Sequence, residues 1–455
     1  MANVEFNSYK MSKNSNNLLE LDITLNIFFD GTLNNKDNSD SRNPAHKHYK
    51  DFLLKGQNKK KDTSYYNDWS NVARLWDTSL VKEDPIYIEG IGTEDYKKDN
   101  LVGYSTGKGT SGIRFKVLKG CEKISNKVKA IMVKHQGKTI NSITLNVFGF
   151  SRGAAAARNF TAELRKPAYK ARYHDGQFYD RDNMICQPEM PEAGHLGYCL
   201  SKIGVTLSMY KIKINFLGIF DTVSSYGGNF RNDIADLSLN NLSAASKVVH
   251  FTARDEFREK FALTRIPSDN SNGTSKEKKR IEFDFPGVHS DVGGSYQTGP
   301  ELIKEIETSW TFKRPLEKLS QQLLDEGWYR DGDLSITGGN AYFALRGEKA
   351  KVYKEYSYIP LHFMAMWSME YGTQLNLKFL LSKYSIKDHP TLISAKKRLR
   401  GYVFDDQKYP YFNLFSHSTF NELKNLRYHY FHRSARREGI GMDPDVNYRR
   451  YELEK

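Results

Sequence analysis

Apolar positions along the chain fall in short runs that stop at Gly, Asp or Asn, with longer amphipathic stretches between them. Leu21, Ile23, Leu25, Ile27, Phe28 and Phe29 alternate and then run together, predicting a strand that ends at Asp30-Gly31-Thr32-Leu33-Asn34-Asn35. Helical spacing follows at 71–80, with a short helix predicted before it at 51–54. A second strand is predicted over 86–88 and an amphipathic helix over 113–133. Ile143, Leu145, Val147 and Phe148 read as a buried strand, and after a glycine corner the stretch 154–164 is rich in strong helix formers. The run from Ile212 to Phe220 is almost wholly apolar and stops at Asp221-Thr222-Val223. Residues 240–260 read as a helix carrying His250 and Arg254. The stretch 281–286 reads as a strand that ends at Gly287-Val288-His289-Ser290-Asp291-Val292-Gly293-Gly294, so that His289 is expected on a glycine-flanked loop. Beyond residue 300 the periodicity is helical at 302–311, 315–326, 359–371 and 375–384, with few strand signals.

Strands alternating with helices predict an α/β fold with a mostly parallel sheet flanked by helices. We divide the chain into a polar arm at 1–18, a main domain at 19–300 and a helix-rich module at 301–455. Within the main domain, the irregular stretch 167–205, with Pro167, Pro188 and Pro191, is a candidate lid. His174 and His195 are read there as loop residues. Ile359, Phe363, Met366 and Trp367 sit at helical spacing and read as core.

Composition narrows the partners rather than the fold. The chain has 455 residues and a net charge of +14, which favours an anionic partner such as a phospholipid surface, an acidic protein or a nucleic acid. The basic, aromatic stretch 426–433, with Arg436, Arg437, Arg449 and Arg450, suits a lipid headgroup region. Nucleic-acid binding ranks lower because no recognised module frames these residues. Three widely spaced cysteines, Cys121, Cys186 and Cys199, support neither a disulfide framework nor a four-ligand zinc site and read as core thiols. His46 and His48 have no acidic or Cys partner at ligand spacing. The first residues show no apolar signal region, and no apolar run reaches the length of about 18 residues that would suggest a membrane span. The expectation is a protein soluble as made and exported without a signal peptide.

The candidate chemistry lies at the strand ends. Gly149-Phe150-Ser151-Arg152-Gly153, between a strand and a helix, is the G-x-S-x-G nucleophile elbow, whose glycines let the backbone turn sharply and lift the serine hydroxyl. The alternative is a serine in a glycine-rich turn with no catalytic role. Asp221 ends a buried strand at the edge where open parallel sheets hold their active sites, and is the candidate acid, with a turn-forming or helix-capping aspartate as the alternative. His289 is the candidate general base, with a structural histidine as the alternative. Ser151, Asp221, His289 is also the chain order of α/β-hydrolases. Backbone N–H groups of Arg152 and of Gly31 or Thr32 are candidate oxyanion donors, with Asp30 and Asp291 as supporting carboxylates.

Two decoys are set aside. Asp30-Gly31-Thr32-Leu33 resembles the nucleophile motif of haloacid-dehalogenase-type phosphatases, but Phe28 stands where their nucleophilic aspartate is required. Gly103-Tyr104-Ser105-Thr106-Gly107-Lys108-Gly109 resembles a P-loop, one residue short between its glycines and with Gly109 in place of the metal-binding hydroxyl.

Taken together, FFDGTLNN, GFSRGAAAARNF, FLGIFDTV and FPGVHSDVGGSY, in this order over roughly residues 20–300, resemble the α/β-hydrolase domain family that contains the first class of type VI secretion lipase effectors. YSYIPLHFMAMWSMEYG at 356–372 extends the likeness weakly. The resemblance implies a serine phospholipase acting on acyl esters of glycerophospholipids, with Ser151, Asp221 and His289 as its triad. It requires no cofactor or metal. It further implies injection into a rival cell's periplasm, an immunity protein in the producing cell and a spike or adaptor protein as carrier. Other expectations stay open, namely a different serine esterase, or a membrane- or partner-binding protein on a degenerate hydrolase scaffold. One departure is Ser295, where the family pattern leads us to expect a third glycine.

Overall fold

The computed structural model describes residues 19–55, 63–80, 85–100, 112–224, 234–339, 341–411, 417–439 and 441–453. The arm at 1–18 and the glycine-rich decoy at 103–109 lie outside the described residues. Near-continuous apolar runs are what strands buried on both faces require, and they form the centre of the molecule. In chain order these are β1 (Glu20–Phe29), α1 (Asn71–Asp77), β2 (Ile86–Ile88), α2 (Ile113–Lys134), β3 (Thr139–Phe150), α3 (Arg152–Glu163), β4 (Ile212–Phe220), β5 (Ala245–Ala253) and β6 (Arg280–Phe285). Six strands make one sheet in the order β6-β5-β4-β3-β1-β2. All of its pairings are parallel.

Alternation along the strands sorts the core into two faces. Ile23, Leu25, Ile27 and Phe29 of β1 face the side covered by α2 and α3, whose Cys121, Ala154 to Ala157 and Phe160 are all buried. Phe28, Phe148, Phe216 and Phe220 face the opposite side. That second side is closed by α1 and by a helix from far down the chain. After α4 (His289–Gly293) come β7 (Gly299–Trp310), α5 (Arg314–Asp325), β8 (Leu334–Gly339), β9 (Tyr342–Val352) and α6 (Tyr358–Glu370). Ile359, Phe363 and Trp367 of α6 are fully buried and share a core with the sheet. A Cβ added to Gly218 in β4 would come within 2.7 Å of the Met364 sulfur, so α6 lies directly on the sheet.

Several expectations are corrected. Residues 240–260 are not a helix but contain β5, because Val248, Val249, His250, Phe251 and Thr252 are buried on both faces and so show no alternation. The expected helix at 302–311 is β7, in a three-stranded antiparallel sheet of order β7-β9-β8, so the region after 300 sets strands among its helices. Its register shifts between Ile303 and Glu307, and such an irregularity lets two residues three apart, Ile303 and Ile306, bury themselves together and imitate helical spacing. His289 opens α4 instead of lying on a loop.

The stretch 167–205 holds two short antiparallel ribbons and the helix Gly194–Ser201. His195, expected in a loop, is on that helix, buried, and bonded to Asp180 at 3.1 Å. Only Cys121 of the three cysteines is fully buried. The basic stretch near residue 430 is largely internal: Tyr430, Phe431 and His432 are buried, and Arg437 pairs with Glu307 through two nitrogens at 2.6 and 2.9 Å. Among the described residues no helix is long and apolar enough to cross a membrane.

Close approach is most demanding at the elbow. A Cβ on Gly153 would lie 2.2 Å from the Asp30 carbonyl oxygen and 2.4 Å from that of Phe29, and neither backbone can yield. Gly153→Ala is therefore expected to destabilise the protein by about 2–3 kcal/mol, while Gly299→Ala, at a glycine with nothing within 4 Å, changes little. Denaturant unfolding of both variants checks this.

Candidate functional site

The end of β3 and the start of α3 meet at Ser151, which adopts φ 57° and ψ −127°. A non-glycine residue there costs about 1–3 kcal/mol and persists only where its surroundings enforce it. The enforcement is visible in the backbone. Ser151 N donates to Phe220 O at 3.0 Å, and Ala154 N and Ala155 N donate to Ser151 O at 3.0 and 3.2 Å. The elbow is thus joined to the last residue of β4, immediately before Asp221.

Asp221 is wholly buried. It too has a positive φ, 37°, and its own N–H donates to Phe251 O at 2.7 Å. Its Oδ1 accepts from Ala253 N at 2.8 Å and its Oδ2 lies 2.6 Å from His289 Nδ1. Arg450 Nη2 donates to both oxygens at 3.0 Å. Burial pushes the Asp221 carboxyl upward. The Arg450 charge, the bond and charge of His289 and the Ala253 N–H together outweigh it, and the group is held below the ordinary carboxylate range.

His289 begins α4, where its backbone N–H donates to Glu256 Oε2 at 3.2 Å. Its ring is flanked by Phe150 at 4.6 Å and Phe261 at 5.2 Å between centroids. Burial lowers its pKa from 6.5, and Asp221, which acts in the opposite sense, does not fully restore it. With Nδ1–H directed at a carboxylate, Nε2 is the basic nitrogen. Glu256 is buried as well, and burial alone would raise it. Arg258, bonded through two nitrogens at 2.9 Å each, then Arg450 and His289, hold it at about 2.

Phe150 links the nucleophile candidate to the candidate base, being the residue before Ser151 and a ring neighbour of His289. The acid and the imidazole are joined directly, but among the described hydrogen bonds none runs from Ser151 Oγ to His289 Nε2. Such bonds are often long without substrate and tighten in the reacting complex.

The loop after β1 lies against the first turn of α3, where Arg152 Nε donates to Thr32 Oγ1 at 2.6 Å. Of the two earlier oxyanion candidates, Gly31 N–H is engaged by Asp30 Oδ1 at 2.7 Å, whereas Thr32 N–H has no acceptor among the described residues. Asp30 also accepts from Ser70 Oγ at 2.5 Å and Tyr87 OH at 2.6 Å. Asp291 accepts from Val288 N at 3.0 Å, closing the turn of α4, and holds His432 Nδ1 at 2.8 Å. Both carboxylates therefore support the loops rather than the reacting groups. Ser295 has φ 99°, which explains why a glycine suits that position. Among the described residues no group of three or more His, Cys, Asp or Glu side chains is arranged to hold a metal.

Sequence reasoning missed Glu256, Arg258 and Arg450. A family model described as "T6SS, Phospholipase effector Tle1-like, catalytic domain" matches residues 24–365. A solved structure of the Tle1 effector bound to the VgrG spike from the type 6 secretion system superposes with a TM-score of 0.60 and 19% identity, covering 96% of this chain and 94% of that one. A second, of an uncharacterized protein from Pseudomonas aeruginosa, gives 0.43 and 18%, covering 91% of this chain and 53% of that one. No curated protein matches the chain.

Because its pKa is lowered, His289 is expected to titrate below 6.5, which the midpoint of its imidazole resonances by NMR checks. The linked stability has a definite sign. The unfolded chain takes up this proton first, so the contribution of neutral His289 is present above 6.5 and is lost as pH falls from there through the folded pKa.

Proposed function

Since the chain belongs to the Tle1-like family of type VI secretion phospholipase effectors, we propose that it is a serine phospholipase of the A type, cleaving an acyl ester of membrane glycerophospholipids. The observation that carries this reading is the strained Ser151 elbow joined by backbone bonds to the strand whose next residue, Asp221, holds His289 by Nδ1. In this reading the fold is an α/β-hydrolase. Ser151 Oγ attacks the acyl carbonyl while His289 Nε2 takes its proton, and Asp221 stabilises the imidazolium.

Thr32 N–H and Arg152 N–H are the donors assigned to the developing oxyanion. Collapse breaks the ester bond, His289 returns the proton to the departing lysophospholipid oxygen, and a water activated by the same imidazole releases the fatty acid from Ser151. No step calls for a metal.

The related effector bound to a spike supports the further reading that this chain travels on a spike protein. Action in the target periplasm and neutralisation by an immunity protein in the producer complete the proposal. Purified protein is expected to release fatty acid from vesicles of a phospholipid with different chains at its two positions. Mass spectrometry of the products then identifies the position cut. Ser151→Ala is expected to lower kcat by about a thousandfold or more and to abolish labelling by a fluorophosphonate probe. An active alanine variant overturns the assignment.

A further inference from the structure

We propose that Arg450 is a positioning residue for the Asp221–His289 pair, delivered to the site by the segment 443–453; this rests on the serine-hydrolase reading above. Two layers of backbone pairing bring that segment over the sheet edge. Val223, two residues past Asp221, bridges Leu263, whose N–H donates to Tyr451 O at 2.8 Å while Leu453 N donates to Leu263 O at 2.9 Å. Asp445 N donates to Phe257 O at 2.7 Å and Glu259 N to Asp443 O at 2.9 Å. The intervening stretch 257–263 carries Phe261, a ring neighbour of His289, and Arg258, which is bonded to Glu256.

Arg450 points inward from this strap. Its side chain is 8% exposed, and the only acceptors of its side-chain N–H groups among the described residues are the two oxygens of Asp221. Its Nε and Nη1 are buried and have no hydrogen-bond partner among the described residues. A guanidinium buried for stability would be expected to have those donors satisfied, since unpaired buried donors carry a desolvation cost.

The arrangement has a consequence for the reaction. By holding both oxygens, Arg450 keeps the carboxylate in the rotamer in which Oδ1 meets Ala253 N and Oδ2 meets His289 Nδ1. A cation on the carboxylate that faces the ring also offsets part of the negative charge that favours the imidazolium. The charged groups facing His289 are Asp221, Glu256 and Arg258, and those facing Asp221 are Arg450 and His289. Without Arg450 the imidazole still has Arg258 opposing its charge, but its carboxylate partner loses the cation that shares its oxygens, and the pull of Asp221 on the imidazolium grows. The residue lies outside the span 24–365 that the family model matches, so the matched catalytic span does not include this contact.

The test compares wild type, Arg450→Ala and Arg450→Lys in phospholipid hydrolysis across pH, with and without added guanidinium. The alanine variant is expected to lose kcat by about tenfold or more with KM little changed. The acid limb of its kcat/KM profile shifts to higher pH, and guanidinium partly restores the rate. Wild-type kcat with an unmoved acid limb overturns the proposal. So does a loss that tracks the folded fraction by circular dichroism, with the limb unmoved and no rescue. If the alanine variant does not accumulate folded, Arg450→Lys decides. It keeps the charge but not the fork, so kcat should fall several-fold with the limb near wild type, and unchanged kcat overturns the assignment. A wild-type protein inactive on phospholipids and unlabelled by the fluorophosphonate defeats the hydrolase reading instead.

Discussion

A carboxylate ionised while wholly buried is the constraint on which this molecule is built. Removing such a group from water costs several kcal/mol, and only charge and hydrogen bonds supplied by the fold offset it. Asp221 receives them from Ala253, His289 and Arg450, which lie on three different stretches of chain. None is near it in sequence. Satisfying one buried charge therefore fixes the ends of β4 and β5, the start of α4 and the strap at 443–453 relative to one another. The Asp221–His289 bond is a product of that convergence.

The parallel sheet makes the convergence possible. Every strand ends on the same edge, so Asp30, Ser151 and Asp221 follow one another across neighbouring strands. The backbone strain at Ser151 and Asp221 is concentrated there, where the chain leaves the sheet abruptly. Gly149 and Gly153 serve the same corner in another way: an added Cβ on the first would lie 2.6 Å from Ala154 Cα, so helix and strand touch backbone to backbone. Helix α6, arriving from beyond residue 350, then covers the opposite face and unites the later part of the chain with the sheet core.

What could be read from sequence was local, and what could not was long-range. Ser151, Asp221 and His289 were legible because each follows an apolar run that ends abruptly, and the glycines around Ser151 mark the turn. β5 escaped because a strand buried on both sides lacks alternation, and β7 because its irregular register gives a spacing of three between buried residues. Arg450 and Arg437 read as surface charge in a basic stretch. Their acidic partners, Asp221 and Glu307, lie more than a hundred residues earlier, and no local pattern announces such a pairing.

The two aspartates at the sheet edge show how neighbours decide chemistry. Asp30 and Asp221 are both fully buried at strand ends, and each accepts a backbone N–H. Asp30 is otherwise surrounded by neutral hydroxyls, with Lys36 contributing least. Burial dominates and raises its pKa to about 6. Asp221 has a guanidinium on both oxygens and an imidazole beside it, and is held below the ordinary range. The Asp30 oxygens are occupied by Ser70, Tyr87 and Gly31, and the phosphatase-like motif fails at Phe28, where its nucleophilic aspartate is required. The same occupancy makes Asp30 useful in another way. It ties β1 to α1 through Ser70, which also caps α1 by accepting from Ala73 N, and so steadies the loop that carries Thr32 to the elbow.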